Sequence, residues 1–194
     1  MMNTEKISYF EKAGNVNFVS VVDVVKEYLD EDSTIKNIVV FAGKFDSVSL
    51  LHEKMKKYDV DITVATYAYG REFYKMTDEE KTEVILPEVA QREYKQKIIE
   101  LGMQYVQGGL PFEAIRSCTG DNSLEMIVST FETISKGLVH CVSAAIMARE
   151  SGCIEAGEKI IALSGDTAIV VTPSLRRDLF DDKFRIHKIL CKPY

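Results

Sequence analysis

Gly43, Lys44 and Ser47 form a group of residues whose types and spacing suit the binding of an anion. A glycine lets the backbone approach a ligand closely, a lysine supplies positive charge, and a serine hydroxyl donates a hydrogen bond. They stand at the start of a predicted helix, whose first N–H groups and dipole favour a phosphate. A structural interpretation stays open beside this one, in which Gly43 makes a turn, Asp46 or Ser47 caps the helix, and Lys44 is solvated.

A second group of candidate ligand-binding residues lies at the carboxyl end of the next predicted strand and in the loop after it, and comprises Thr66, Tyr67, Gly70 and Arg71. An aromatic ring there could stack on a planar ligand, and the arginine could donate two hydrogen bonds to a phosphate. The alternative is an aromatic loop packed on the surface or at a dimer contact.

Two further loops add candidates with weaker chemistry. Gly108 and Gly109 allow close approach of a ligand or form a sharp turn. The last loop consists of Ser164, Gly165, Asp166 and Thr167. Its Gly-Asp pair also suits a tight hairpin turn, in which Gly165 would have a positive φ.

Catalytic groups cannot be assigned from the sequence. His52 and His140 fall in predicted helices and His187 in the last predicted strand, so each is interpreted as structural and none stands in a candidate loop. No serine elbow and no histidine spacing typical of a metal site is present. We therefore expect no metal, and we expect binding rather than catalysis.

The elements that position these loops alternate along most of the chain. Apolar runs predict strands at 7–10, 37–42, 61–67, 103–107, 159–163 and 167–172 and a final strand that contains His187, and helical spacing predicts helices at 47–58, 123–134 and 135–150. A first helix is predicted by an apolar stripe of Phe18, Val21, Val22, Val25 and Tyr28. Residues 68–76 are predicted to be a loop. A capping box at Thr77 predicts a helix, interrupted near Pro87, that ends at Gly102.

The order of these elements predicts an open α/β sheet. Alternating strands and helices give parallel strands, whereas the last two apolar runs are separated by three residues and must be antiparallel. Ligands of such sheets bind outside the carboxyl ends of the parallel strands, where the strand order reverses. The four candidate loops are predicted to meet there.

Composition narrows the class of protein. The chain has 194 residues, a net charge of −6 and four cysteines without a paired motif. Scattered basic residues and the acidic balance argue against nucleic acid and against an anionic membrane as partners. With no apolar run of about 20 residues and no signal peptide pattern, we expect a single cytoplasmic domain over residues 1–194 with reduced thiols.

A series of short motifs runs along nearly the whole chain. They are, in chain order, Tyr9-Phe10-Glu11-Lys12, Ile38-Val39-Val40, Thr66 with Gly70, Met76-Thr77-Asp78-Glu79, Ser135-Lys136-Gly137, Ala144-Ala145-Ile146-Met147-Ala148, Ser151-Gly152-Cys153-Ile154, Glu158-Lys159-Ile160-Ile161-Ala162, Asp166-Thr167-Ala168-Ile169-Val170-Val171 and Ile189-Leu190-Cys191-Lys192-Pro193. In these motifs and in their order the chain resembles the free-standing relatives of the pyruvate kinase C-terminal domain.

This resemblance implies a three-layer α/β/α fold with a mixed, mostly parallel five-stranded sheet whose last strand or strands are antiparallel. It implies no pyruvate kinase activity, because the catalytic barrel is a separate domain. It also implies a phosphorylated small molecule as ligand, with flavin mononucleotide (FMN) as the candidate cofactor. The candidate loops depart from those of the relatives, and Phe45 or Phe112 is expected to narrow the cleft.

The combined expectation is a small-molecule-binding protein of unassigned role that forms a homo-oligomer. Two alternatives remain open. One is a small flavin- or phosphate-dependent enzyme, and the other is an oligomeric interaction or regulatory protein with a vestigial cleft.

Overall fold

The computed structural model describes residues 6–76, 82–113, 122–181 and 183–194. The strands are β1 (Ser8–Phe10), β2 (Asn37–Phe41), β3 (Asp61–Tyr67), β4 (Phe73–Met76), β5 (Thr82–Ile85), β6 (Gln104–Gly108), β7 (Ile160–Leu163), β8 (Ala168–Thr172) and β9 (Arg185–Pro193). The helices are α1 (Phe18–Glu31), α2 (Phe45–Met55), α3 (Arg92–Glu100), α4 (Ser123–Glu132) and α5 (Lys136–Glu150). Short 3-10 turns cover Asn15–Asn17, Glu88–Ala90 and Arg176–Asp178.

The central sheet has seven strands in the order β1-β9-β8-β7-β2-β3-β6. Strands β7, β2, β3 and β6 are parallel neighbours, and β8 is antiparallel to both β7 and β9. The prediction of a mixed, mostly parallel α/β sheet is confirmed.

Two details of the predicted sheet are wrong. The sheet has seven strands rather than five, because β9 pairs with β8 and β1 then pairs with β9. The final strand is not antiparallel to the majority. Strand β8 runs antiparallel to β7, and β9 runs antiparallel to β8, so β9 has the same direction as β7.

Helices pack on both faces of this sheet, as the alternation of side chains along each buried strand requires. On β2, Ile38 and Val40 belong to the apolar cluster formed with α1 and α2. Val39 and Phe41 belong to the opposite cluster, formed mainly with α5. Helix α5 is covered almost all round, which explains why its apolar residues do not form a single stripe.

The segment after β3 differs from the sequence expectation. Residues 73–76, expected in a loop, form β4, and residues 82–85, expected in a helix, form β5; the two strands make a separate antiparallel hairpin. Aromatic and β-branched residues pair across it, including Tyr74 with Val84, and these residue types favour strands. The Thr77 capping box lies outside the described residues.

Boundaries of the helices were partly predictable. Gly102 has a φ of +82° and follows the end of α3, as expected of a terminating glycine. Helix α2 begins two residues before the prediction, and its N-cap is the extended residue Lys44. The interpretation of Asp46 or Ser47 as the cap is therefore wrong, since both lie inside the first turn.

Three of the cysteines are described, and all three are free thiols. Cys141 and Cys191 are buried and Cys153 is half-buried, whereas Cys118 lies outside the described residues. Burial raises the pKa of Cys141 and raises that of Cys191 to about 12. In the part of the chain that the structure describes, no helix has both the length and the apolar character that crossing a membrane requires.

Candidate functional site

A cleft of about 440 Å³ opens at the carboxyl ends of β2, β3 and β7. Strands β2 and β7 are neighbours, but the chain leaves β2 toward β3 on one side and returns to β7 on the other. The cleft thus lies where the strand order reverses, the usual ligand position in an open α/β sheet. Its lining residues are Ala13, Gly14, Asn15, Phe41, Gly43, Lys44, Tyr67, Lys136, Gly137, His140, Ser164, Gly165 and Asp166.

Two exposed lysines give the cleft a positive rim. Lys44 stands between β2 and α2, and Lys136 is the first residue of α5. Their ammonium groups come from different elements, so an anion placed in the cleft could interact with both. The amino end of α5 adds the positive end of a helix dipole.

The amino end of α2 is less available to a ligand than its sequence suggested. The Phe45 amide donates to Glu88 Oε2 at 3.1 Å, so a carboxylate already interacts with the first turn. Ser47 is buried, and its hydroxyl accepts from Asn15 Nδ2 at 3.4 Å. Lys44 and Gly43 remain in the cleft lining, while Ser47 supports it from behind.

Three aromatic rings form one wall of the cleft, from here on the aromatic wall: Phe41, Tyr67 and His140. The imidazole of His140 stacks on Phe41 with 4.8 Å between ring centres and 11° between planes. Tyr67 meets Phe41 edge to face at 4.8 Å, and its hydroxyl lies 3.3 Å from His140 Nε2. These contacts make a rigid apolar surface against which a planar ring could pack.

Burial shifts both titratable groups of the aromatic wall toward their neutral forms. Burial lowers the pKa of His140, and the charges of Asp166 and Glu132 act in the opposite direction. Burial also raises the pKa of Tyr67, with Arg71 lowering it and Glu113 raising it. A neutral imidazole beside a neutral phenol is the state that desolvation favours.

A buried network of hydroxyl groups and one carboxyl group lies beneath the cleft; Ser164 and Asp166 belong to the cleft lining, whereas the predicted Thr167 does not. Asp166 Oδ2 accepts from the Gly14 amide at 2.6 Å, and Oδ1 accepts from the Thr167 hydroxyl at 3.0 Å. The hydroxyls of Thr167 and Ser135 lie 2.7 Å apart, and Ser164 donates to the Gly137 carbonyl at 3.1 Å. This network joins the β7–β8 turn to the start of α5.

The Gly14–Asn15 segment closes the cleft from the side of β1. Besides the bond from Gly14 to Asp166, Asn15 lies against Gly165, where an added Cβ would come within 3.2 Å of the Asn15 Cα. The expectation of a positive φ at Gly165 is wrong, since its φ falls outside that region. Glycine leaves room there for the Asn15 segment that packs on it, and the turn itself is the predicted hairpin between β7 and β8.

Arg71 and Gly70 lie beside the cleft rather than in its lining. Gly70 has a φ of +75°, which turns the chain after β3. Arg71 Nη2 pairs with Glu113 Oε1 at 2.7 Å, and its guanidinium lies 5.4 Å from the centre of the Phe73 ring. The guanidinium is therefore already engaged by a carboxylate.

The remaining predicted residues do not line the cleft: one supports the strands next to it, and two lie at the edge of the sheet. Thr66 is buried and donates to the Ala42 carbonyl at 2.7 Å, which fixes the ends of β2 and β3. Gly108 is the last residue of the edge strand β6 and Gly109 follows it, and neither lines the cleft.

Neither Phe45 nor Phe112 narrows the cleft, contrary to expectation. Phe45 packs against Tyr94 at 5.2 Å between ring centres, and Phe112 is buried near Phe131. Apolar burial elsewhere draws both rings away from the ligand position.

Sequence reasoning missed the residues that reach the cleft from helices and from the amino-terminal segment. These are Ala13, Gly14, Asn15, Phe41, Lys136, Gly137 and His140. The four-residue spacing of Lys136 and His140 puts both on one face of α5, which is a usable signal. Nothing local in the sequence shows that this face turns toward β2 and β3.

No protein-family model matches the chain. Among solved structures, the chain is similar to an NAD+ synthetase from Burkholderia pseudomallei, with 9% sequence identity and a TM-score of 0.29. The match covers 79% of this chain and 54% of that one, so the chain spans about half the length of the synthetase. A similarity of this size carries no argument about function.

Proposed function

We propose that this protein binds a phosphorylated small molecule with a planar ring, FMN being the candidate, in the cleft between β2 and β7. One observation carries the proposal: a positive rim and an aromatic wall occur together in a single cleft at the reversal of strand order. Lysines suit the phosphate and aromatic rings suit the planar ring. The cleft volume lies within the range of about 300–1,000 Å³ that is usual for ligand sites.

The placement of the two ligand groups follows from these surfaces. The phosphate lies between Lys44 and Lys136, near the amino end of α5, and the ring packs against Tyr67 and His140. The buried Asp166 carboxyl group opposes an anion, but its two oxygens already accept from Gly14 and Thr167. Asp166 remains in the cleft lining, and the two positive charges of Lys44 and Lys136 together exceed its single negative charge.

A relationship to the free-standing pyruvate kinase C-terminal-like proteins belongs to the same proposal. The adjacent strands β6-β3-β2-β7-β8, of which only β8 is antiparallel, agree with the five-stranded sheet that the resemblance implies. Strands β9 and β1 are then additions at one edge. A cytoplasmic location and a homo-oligomer remain predictions. The free thiols of Cys141, Cys153 and Cys191 agree with the first, and sedimentation equilibrium tests the second.

The first experiment is an absorption spectrum of freshly purified protein, followed by denaturing mass spectrometry to detect a released flavin. FMN is then titrated into the protein, with riboflavin as the analogue that lacks the phosphate. We expect FMN to bind at least tenfold more tightly than riboflavin, because charge-assisted hydrogen bonds to phosphate are worth about 1.5–3 kcal/mol each.

Charge removal at the rim tests the site itself. Lys44→Ala and Lys136→Ala should each weaken FMN by about tenfold and leave riboflavin unchanged. Lys36→Ala is the matched control, since Lys36 is exposed just before β2, at the opposite end of the sheet, and pairs with Asp59. Absence of FMN binding to the unaltered protein, or equal losses in all three variants, would refute the proposed site.

A further inference from the structure

His140 belongs to the aromatic wall and lies on the same helix as Lys136, and both residues line the cleft. It lies one helical turn after Lys136 on α5, and its ring is half-buried in the cleft lining. Phe41 covers it by stacking, and Tyr67 approaches it edge on with 85° between the ring planes. The imidazole is thus held in one orientation by two rings from neighbouring strands.

The hydrogen bond to Tyr67 fixes which nitrogen of His140 carries the proton. A phenol O–H is a better donor than an imidazole N–H, and an imidazole nitrogen is a better acceptor than a phenol oxygen. Tyr67 therefore donates to Nε2, across 3.3 Å, and the proton of the neutral ring lies on Nδ1. Within the described ranges, Tyr67 is the only hydrogen-bond partner of this imidazole, so Nδ1–H remains available.

The charged groups around the imidazole come from several elements. Asp166 of the β7–β8 turn and Glu132 at the end of α4 are negative, while Lys136 on the same helix and Lys44 across the cleft are positive. Burial in the aromatic wall is the largest influence on the pKa of His140 and lowers it, so the neutral ring is favoured although Asp166 and Glu132 act in the opposite direction. A neutral imidazole with a free N–H suits an uncharged acceptor better than it suits a phosphate.

We propose that His140 determines the specificity of the cleft for the ring of its ligand, by donating a hydrogen bond from Nδ1–H to an acceptor on that ring. The acceptor is a ring carbonyl oxygen or an unprotonated ring nitrogen, so the ligand class is a phosphate ester that carries a planar heterocycle with such an edge. This inference rests on the proposed function. Tyr67 acts through His140 as a positioning residue.

The test compares a ligand that has the ring with one that lacks it. FMN and ribose 5-phosphate are titrated into the unaltered protein, His140→Phe, His140→Gln and the control His187→Phe, which changes an exposed position on β9. We expect His140→Phe to weaken FMN by about fivefold to tenfold, the loss of one hydrogen bond, and to leave ribose 5-phosphate within twofold. His140→Gln, which keeps an N–H donor, should recover most of the loss.

Nitrogen NMR of the unaltered protein gives a second readout that does not require a variant to fold. With ¹⁵N-labelled histidine, His140 should show the Nδ1–H tautomer, and its Nδ1 signal should shift on addition of FMN while those of His52 and His187 stay in place. Equal weakening of FMN and ribose 5-phosphate in His140→Phe, or an Nε2–H tautomer, would overturn the inference while leaving phosphate binding intact. Failure of the unaltered protein to bind FMN at all would overturn the proposed function and this inference with it.

Discussion

Gly137 and Asp166 pack so closely that no side chain fits between them. A Cβ on Gly137 would overlap Asp166 Oδ1 and Thr167 Oγ1 and would lie 2.8 Å from Ser164 Oγ. The first turn of α5 therefore rests directly on the β7–β8 turn. This contact sets the position of Lys136 and His140, which belong to the same helix and line the cleft.

Substitution of Gly137 tests that contact. Gly137→Ala should lower the free energy of unfolding by about 1–3 kcal/mol, since the overlapped atoms belong to a buried, hydrogen-bonded network. Gly109→Ala is the matched control, because a Cβ there meets nothing within 4 Å. Urea denaturation measures both variants. Similar stability in the two would show that α5 does not pack on the turn in this way.

The carboxyl group of Asp166 anchors the amino-terminal segment. Its Oδ2 accepts from the Gly14 amide at 2.6 Å, and its Oδ1 accepts from the Thr167 hydroxyl. Asp166→Asn would replace one of these two acceptor oxygens by an NH₂ group, which donates. We expect a loss of about 1–3 kcal/mol in the free energy of unfolding. Asp46→Asn, at an exposed position in the first turn of α2, is the control and should change stability little. A loss confined to Asp46→Asn would contradict the assignment.

Gly165 is expected to tolerate a side chain poorly because of its neighbour rather than its own φ. The nearest atoms to an added Cβ are Asn15 Oδ1 at 3.1 Å and the Asn15 Cα at 3.2 Å. Gly165→Val should cost about 1–2 kcal/mol in thermal or urea unfolding. Gly43→Ala, also in the cleft but with a nearest contact at 3.9 Å, should cost less. An unchanged melting curve for Gly165→Val would show that the Gly14–Asn15 segment does not pack there.

Stability should depend on pH through His140. Burial lowers the pKa of this imidazole below 6.5 in the folded protein, so between the two pKa values the unfolded chain binds more protons. The free energy of unfolding should therefore fall as pH drops below about 6.5 and remain at its full value above it. Thermal melts from pH 7.5 to pH 5.5 measure the slope.

The variant His140→Gln separates the contribution of His140 to the pH dependence of stability from contributions of other groups that have the same sign. The pKa of His187 is also lowered by burial and by the charges of Lys159 and Arg185, so a residual slope is expected. His140→Gln should flatten the curve relative to the unaltered protein. An identical slope in both would mean that His140 does not titrate with a lowered pKa.

Much of the fold was predictable because its signals are local. The apolar runs that became β2, β3, β7 and β8 and the helical stripe of α1 are set by residue spacing, and the short 164–166 connection forces an antiparallel pair. The β4–β5 hairpin was not predicted. A helix-start pattern at Thr77 and a polar aromatic segment gave competing local signals, and the pairing of residues 73–76 with residues 82–85 depends on cross-strand contacts instead.

The sequence by itself determined the elements of the central sheet that flank the cleft, their order and the loops at the carboxyl ends of the strands, because each depends on neighbours a few residues apart. Only the tertiary structure decided which of those loops share one cleft. It brought Lys44, Tyr67 and Asp166 together, placed Gly108 and Gly109 outside the lining, and engaged Arg71 with Glu113. It also turned His140 on α5 toward Tyr67, a contact between residues 73 positions apart in the chain. Such contacts depend on how the helices pack across the sheet. The spacing of residues along one helix or strand does not indicate which other element that helix or strand will contact.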